Sequence, residues 1–156
     1  MQFCEWLQAT PVAVSISETW FPAVESIHVI ALSLVAGTIF IVDLRLLGLS
    51  TPSLGLRYLA ERVTPWTWRA FVLAAITGSL LFAANATTYY NNVPFRIKLV
   101  LLALAGINMA YFQLVTFRKV AEWDTGRAAG AARLAGVVSL VLWTGVIISG
   151  RWIGFI

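Results

Sequence analysis

Glu25 and His28 stand three residues apart in an otherwise apolar stretch, a spacing that puts a carboxylate and an imidazole on one face of a helix. Arg151 closes another apolar stretch. It lies about 27 Å along a regular helix from Arg133, which brings it to a similar depth at the same end of a bundle. Arg96 and Lys98 open a third stretch on that side. Charges at membrane depth pair or face a cavity, so the economical expectation is a Glu25–Arg151 ion pair with His28 as its hydrogen-bonding neighbour. A sharper chemistry is also open. The surplus cations Arg96, Lys98 and Arg151 could hold an anionic group such as a haem propionate, a lipid phosphate or a quinone oxygen, with His28 as haem-iron ligand or proton carrier. Haem b is the cofactor this second chemistry would take. At the other end, Asp43 beside Arg45, with Arg69 and Arg133 at neighbouring helix ends, reads as an ion-pair lock. Asn108 is polar at membrane depth and is expected to bond between helices or to its own backbone.

The elements that must position these groups follow from composition. Of 156 residues 60% are hydrophobic and 12% charged, and the mean hydropathy is +0.84. That is too little charge for a water-soluble domain. Four runs reach the roughly 20 apolar residues that a helix needs to cross a bilayer: 22–48, 68–89, 95–117 and 133–152. Leu99 to Leu104 and Val137 to Val141 are nearly solid apolar runs, which excludes the alternation of a spanning barrel. The expected architecture is all-α, a single membrane domain over 1–156 built as a four-helix bundle. Residues 1–19 lack the positive start and cleavage pattern of a secretory signal. Phe3, Trp6, Leu7 and Thr10 fall at helical spacing there, which reads as an amphipathic helix lying in the interface.

Orientation follows from Lys and Arg. Arg45, Arg57, Arg62 and Arg69 surround the first connection and Arg118, Lys119, Arg127 and Arg133 the second, while Arg96, Lys98 and Arg151 fall on the opposite side. Cytoplasmic loops keep the excess, so both termini are expected to be periplasmic in a multi-pass protein of the cell inner membrane. Trp20, Trp66, Trp68, Trp123 and Trp152 fall near the interfaces and read as anchors. Each span also carries small residues four apart, Ser33 and Gly37, Ala74 and Gly78, Gly106 and Ala110, Gly145 and Ser149, suited to close helix contact.

The net charge of +4 is scattered over short connectors, so nucleic acid is not expected as a partner. Cys4 is a lone thiol, and no metal-ligand spacing, phosphate loop or nucleophile elbow occurs. An enzyme is therefore the least expected class. The least demanding function is an accessory or structural subunit packed against other membrane subunits or further copies of itself within the lipid bilayer. The first alternative is a haem- or quinone-binding redox protein using His28, and the second an oligomeric transporter or channel.

The stretch TPVAVSISETWFPAVESIHVIALSLVAGTIFIVDLRLLG, with TPW, AGIN and the closing SLVLWTGVIISGRWIGF, resembles a family of small bacterial four-helix membrane proteins classified only as a domain of unknown function. The resemblance covers nearly the whole chain and rests on Glu25, His28, Gly37, Asp43, Arg45, Asn108, Trp143 and Arg151. It implies an integral inner-membrane protein and brings no activity with it. Many relatives carry a histidine where this chain has Gln113, so the resemblance does not supply a two-histidine haem site here. A looser similarity to cytochrome b-like and copper-resistance D-like bundles rests on a histidine early in an apolar helix followed by glycine.

Overall fold

A computed structural model describes residues 1–49, 55–116 and 130–155, with the side chains of residues 115 and 116 left out. The expectations placed on Arg118, Lys119, Trp123 and Arg127 lie outside the described residues. The described chain is helical and contains no strand. Two short helices, α1 (Gln2–Gln8) and α2 (Pro11–Ser15), lead through a π-helical turn, Ile16–Trp20, into α3 (Phe21–Leu46). Then come α4 (Leu56–Ala84), the short α5 (Ala86–Asn91), α6 (Val93–Tyr111) with a π-helical end at Phe112–Thr116, and α7 (Gly130–Trp152).

Four helices are long and apolar enough to cross a membrane: Pro11–Leu46, Leu56–Ala84, Val93–Leu114 and Gly130–Trp152. This is a membrane protein built as a helical bundle. Local chemistry sets the corners. Thr10 donates from its hydroxyl to the Leu7 carbonyl (2.7 Å) and accepts from the Ala13 N–H, turning α1 into α2 just before Pro11. Asn92 caps α6 by accepting from the Phe95 N–H at 2.9 Å, with Pro94 in the first turn.

The second long helix differs most from its sequence reading. It starts at Leu56 instead of residue 68, because Pro65 is carried inside it. Proline removes one rung and leaves the Glu61 carbonyl without its usual donor, yet flanking helices can hold such a helix together. The same helix ends at Ala84, before the expected residue 89, because Asn85 leaves helical conformation (φ −138°, ψ 42°) and starts the separate turn α5.

α3 packs along α4 and against α7, and α7 along α6, so the spatial order runs α4, α3, α7, α6. The centre is apolar: Val35, Ala70, Ala105, Trp143 and Val146 are buried together, with Phe40 and Leu101 against them. Both chain ends lie at one end of the bundle. The Gln8 side chain accepts from the Thr87 hydroxyl at 2.8 Å, and the Asn92 side chain donates to the Ile153 carbonyl at 3.3 Å. This is the terminal end; the connections after α3 and before α7 define the loop end.

Two of the four small-residue pairs build contacts inside the bundle. Ala74 and Gly78 receive α3, with His28 against Gly78, and Gly145 receives Leu101. Ser33 with Gly37 and Gly106 with Ala110 face outward instead, where a Cβ added at either glycine meets nothing. The outward faces are otherwise large and apolar, as a lipid-facing surface requires: Ile30, Val100, Ile107 and Val141 are all more than half exposed.

Candidate functional site

The polar groups gather at both ends of the bundle and differ in what surrounds them. At the terminal end, His28 reaches across from α3 and its Nδ1 lies 3.0 Å from the Thr77 hydroxyl of α4. Thr77 has one hydroxyl hydrogen and directs it to the Leu73 carbonyl at 2.7 Å. The histidine must therefore donate from Nδ1, which leaves Nε2 as the acceptor nitrogen. Its ring edge rests on Gly78, where an added Cβ would lie 2.9 Å from Cε1. Only glycine permits this approach.

Of the three cations expected beside His28, Lys98 alone comes near it, within electrostatic reach, its chain end lying against Gly150. Arg96 turns away, donating from Nε to the Tyr90 carbonyl at 2.8 Å and lying over the Tyr90 ring. Arg151 lies over the Phe155 ring, 5.6 Å from its centroid. Among the described residues no ion pair joins Arg151 to Glu25, so the expected pairing is corrected. Glu25 is exposed, and its charge acts on Tyr89 instead. The reason is position: Arg151 sits in the last turn of α7, where its aliphatic stem can carry the guanidinium outward to an aromatic ring. Burial, and then the Glu25 charge, push the Tyr89 phenol above the usual tyrosine range. The ion pair that does form among the described residues is Arg57–Glu61, exposed and one turn apart on α4.

At the loop end the helices part. α4 and α6 meet at the terminal end, where Phe95 stacks on Phe82 and Tyr89 at 5.3 and 5.7 Å. Toward the loop end they separate around a cavity of about 490 Å³. Each helix presents one face to it. α3 contributes Thr38, Ile39, Val42, Asp43 and Leu46; α7 contributes Ala135, Ser139 and Trp143, four residues apart; α4 contributes Ala60, Glu61, Thr64, Pro65, Thr67 and Trp68; and α6 with its π-helical end contributes Asn108, Met109, Phe112 and Gln113. A volume of this size suits a small organic ligand.

The polar side chains of the cavity wall are few. Thr67 donates to the Thr38 hydroxyl at 2.9 Å, and Thr38 donates back to the Leu34 carbonyl, tying α4 to α3 at the mid-membrane end of the cavity. Asn108 donates to the Ala135 carbonyl at 3.0 Å, tying α6 to α7. Asp43 is 5% exposed, and the Ser139 hydroxyl is its hydrogen-bonding neighbour. Its second oxygen, Oδ2, is buried without any hydrogen-bond partner. The expected lock with Arg45 does not satisfy that oxygen. Arg45 lies two residues on and is itself buried, which points it to a different side of the helix. Arg133 is not among the lining residues, and its Nε is likewise buried without a partner.

The structure thus places Asp43 and Asn108 in one wall and keeps Glu25, His28 and Arg151 at the far end. Thr38 is ten residues from His28 on the same helix, about 15 Å away, so the cavity gives no support to haem held by His28. Among the described residues no three His, Cys, Asp or Glu side chains gather in a metal-binding group. Sequence reasoning missed the cavity. Its traces were the four-residue spacing of Thr38, Val42 and Leu46, the matching spacing of Ser139 and Trp143, and Pro65 on the helix across from them.

A family model described as "Family of unknown function (DUF6644)" matches residues 7–156. No curated protein and no solved structure matches the chain. The chain belongs to that family.

Proposed function

Membership of this family carries no activity, so we propose a function from the cavity: the protein binds a small, mostly apolar, lipid-soluble molecule between α3, α4, α6 and α7. One observation carries the reading. A roomy and mostly apolar cavity, with the buried Asp43 among its lining residues, opens between four helices of the bundle. A largely apolar hollow with a few polar groups in its wall is the usual form of a small-molecule site. Entry is lateral, from the bilayer, through the seam where α4 and α6 diverge. The basic loop end faces the cytoplasm, which puts the cavity in the inner leaflet of the cell inner membrane and both termini in the periplasm.

Val35, Ala70, Ala105, Trp143 and Val146 form a buried apolar layer between the cavity and the His28 end. That layer interrupts any polar route across one chain and speaks for binding over conduction. The test is the small-molecule content of protein extracted gently from its own membrane, compared with an Ala135→Trp variant whose side chain fills the space. A lipid-soluble compound present in the wild type and lost in the variant supports the reading. An identical complement in both overturns it.

A second reading, an accessory subunit, is favoured by α6. Pro94 and Ala105 are its only buried residues, and Gly106 and Ala110 lie outward, where another helix could approach closely. Crosslinking from a cysteine at Ile107 in native membranes separates a protein neighbour from lipid.

A further inference from the structure

We infer that the terminal end of the bundle holds an oxyanion between Lys98 and His28, one oxygen accepting from the Lys98 ammonium and one hydrogen shared with His28 Nε2. This site lies at the opposite end of the bundle from the cavity and does not depend on it.

Lys98 lies across a neighbouring helix. It stands five residues into α6, half-buried, and its chain passes α7 at Gly150, where an added Cβ would lie 3.4 Å from Nζ, 3.6 Å from Cε and 3.7 Å from Cδ. The bare backbone of Gly150 leaves room for the ammonium, which comes within electrostatic reach of His28 on α3. On its other side the His28 ring meets acceptors from α4: the Thr77 hydroxyl oxygen, 3.0 Å from Nδ1, and the Ala74 carbonyl. The Thr77 hydrogen goes to the Leu73 or Ala74 carbonyl, so the ring keeps its proton on Nδ1 and a lone pair on Nε2. Neither Lys98 Nζ nor His28 Nε2 has a hydrogen-bond or ion-pair partner among the described residues. Neither is sealed in: the buried unpartnered side-chain atoms there are Asp43 Oδ2 and Arg133 Nε.

An ammonium calls for a negative acceptor, and Nε2 calls for a donor. The charged and titratable neighbours supply neither. Glu25 is exposed and acts on Tyr89, Arg96 donates to the Tyr90 carbonyl, and Arg151 lies over Phe155. A metal cation would face the Lys98 charge, a carbonyl would leave Nε2 without a donor, and a neutral alcohol would leave the ammonium uncompensated. An oxyanion with one hydrogen meets both needs. Hydrogen phosphate or a phosphate monoester brings that hydrogen on a hydroxyl. A lipid phosphodiester or a carboxylate receives it from a proton taken up at Nε2, a step that breaks no bond because Thr77 already accepts from Nδ1. A lipid headgroup and a free anion share this chemistry.

His28 is the only histidine of the chain, so isotopically labelled histidine reports on this site alone. The ring nitrogens are followed by NMR against pH in nanodiscs under three conditions: neutral phosphatidylcholine in sodium chloride, the same lipid in sodium phosphate of equal ionic strength, and phosphatidylglycerol added in sodium chloride. The neutral ring is expected to carry its proton on Nδ1. Its titration midpoint should rise in phosphate or in phosphatidylglycerol by at least about 0.5 pH unit more in the wild type than in Lys98→Gln, whose shift records surface potential alone. Lys98→Arg should retain the rise. A rise in phosphate identifies a free anion and a rise confined to phosphatidylglycerol a lipid headgroup; either supports the site. Equal shifts in the wild type and Lys98→Gln, or a neutral ring protonated at Nε2, overturn it. Lys98→Met takes the place of Lys98→Gln if that variant fails to fold.

Discussion

Gly78 offers the sharpest test of how the two best-packed helices meet. An alanine Cβ at this position would lie 2.9 Å from His28 Cε1 and 3.5 Å from Nδ1. Carbon atoms rest at roughly 3.5–4.0 Å, so the first contact is about 0.6 Å too short. The imidazole cannot swing aside freely, because Nδ1 is held by Thr77 at 3.0 Å and giving up that bond costs about 0.5–1.5 kcal/mol. Separating α3 from α4 instead would loosen the packing around Ala31 of α3 and Ala74 of α4, both nearly fully buried. Overpacking of this kind costs about 1–3 kcal/mol, against about 1 kcal/mol gained by replacing glycine in a helix interior. Gly37→Ala and Gly106→Ala supply the control, since nothing lies within 4 Å of an added Cβ at either site and only the gain remains. Gly78→Ala should therefore be less stable than these controls by about 1–3 kcal/mol. Unfolding of detergent-solubilised protein followed by circular dichroism measures it. A double variant with His28→Ala should remove most of the difference, because the clash has one partner. A gap below about 0.5 kcal/mol, or one that survives His28→Ala, would refute the close approach.

Three further outcomes follow from the same geometry. Asn108→Ala removes the amide bond to the Ala135 carbonyl and should lower the unfolding free energy by about 0.6–2 kcal/mol in the same assay; no change would mean that the bond does not link α6 to α7. Arg151→Leu should leave stability within about 0.5 kcal/mol of wild type, because the guanidinium lies over Phe155 and pairs with no described carboxylate; a loss of several kcal/mol would restore the Glu25 pairing expected from sequence. The Tyr89 phenol is raised above its ordinary value of 10.0 by burial and then by Glu25, so its folded form holds the proton more tightly than the unfolded form. Stability from this group is complete below pH 10 and declines as pH climbs from there through the folded value. Ultraviolet titration should show a late-titrating tyrosine that moves earlier in Glu25→Gln, and an unshifted titration would contradict the placement of Glu25.

The bundle was legible in the sequence because bilayer thickness alone dictates runs of apolar residues, and four such runs are present. Their corners were partly legible. Asn92 with Pro94 marks a helix start by familiar capping chemistry, whereas an apolar run read from residue 68 left out the polar turns from Leu56, which the helix carries through Pro65. The roles of single charges were less legible. Linear depth put Arg151 beside Glu25, but a long side chain in a last helical turn has several partners in reach, and an aromatic ring supplied one.

The cavity left the weakest trace because no residue type announces an empty space. It depends on α4 and α6 being linked at one end by the short α5 and the Phe82–Phe95 stack, with the apolar layer of Trp143 and Val35 beyond. In sequence Asp43 is one acidic residue two positions from an arginine, and proximity along the chain suggested a salt bridge. On a helix, positions two apart point to different sides, so the neighbour in sequence was the wrong partner to consider. The lining residues nearest to Asp43 around the helix are Ile39 and Leu46, which are apolar and cannot neutralise it.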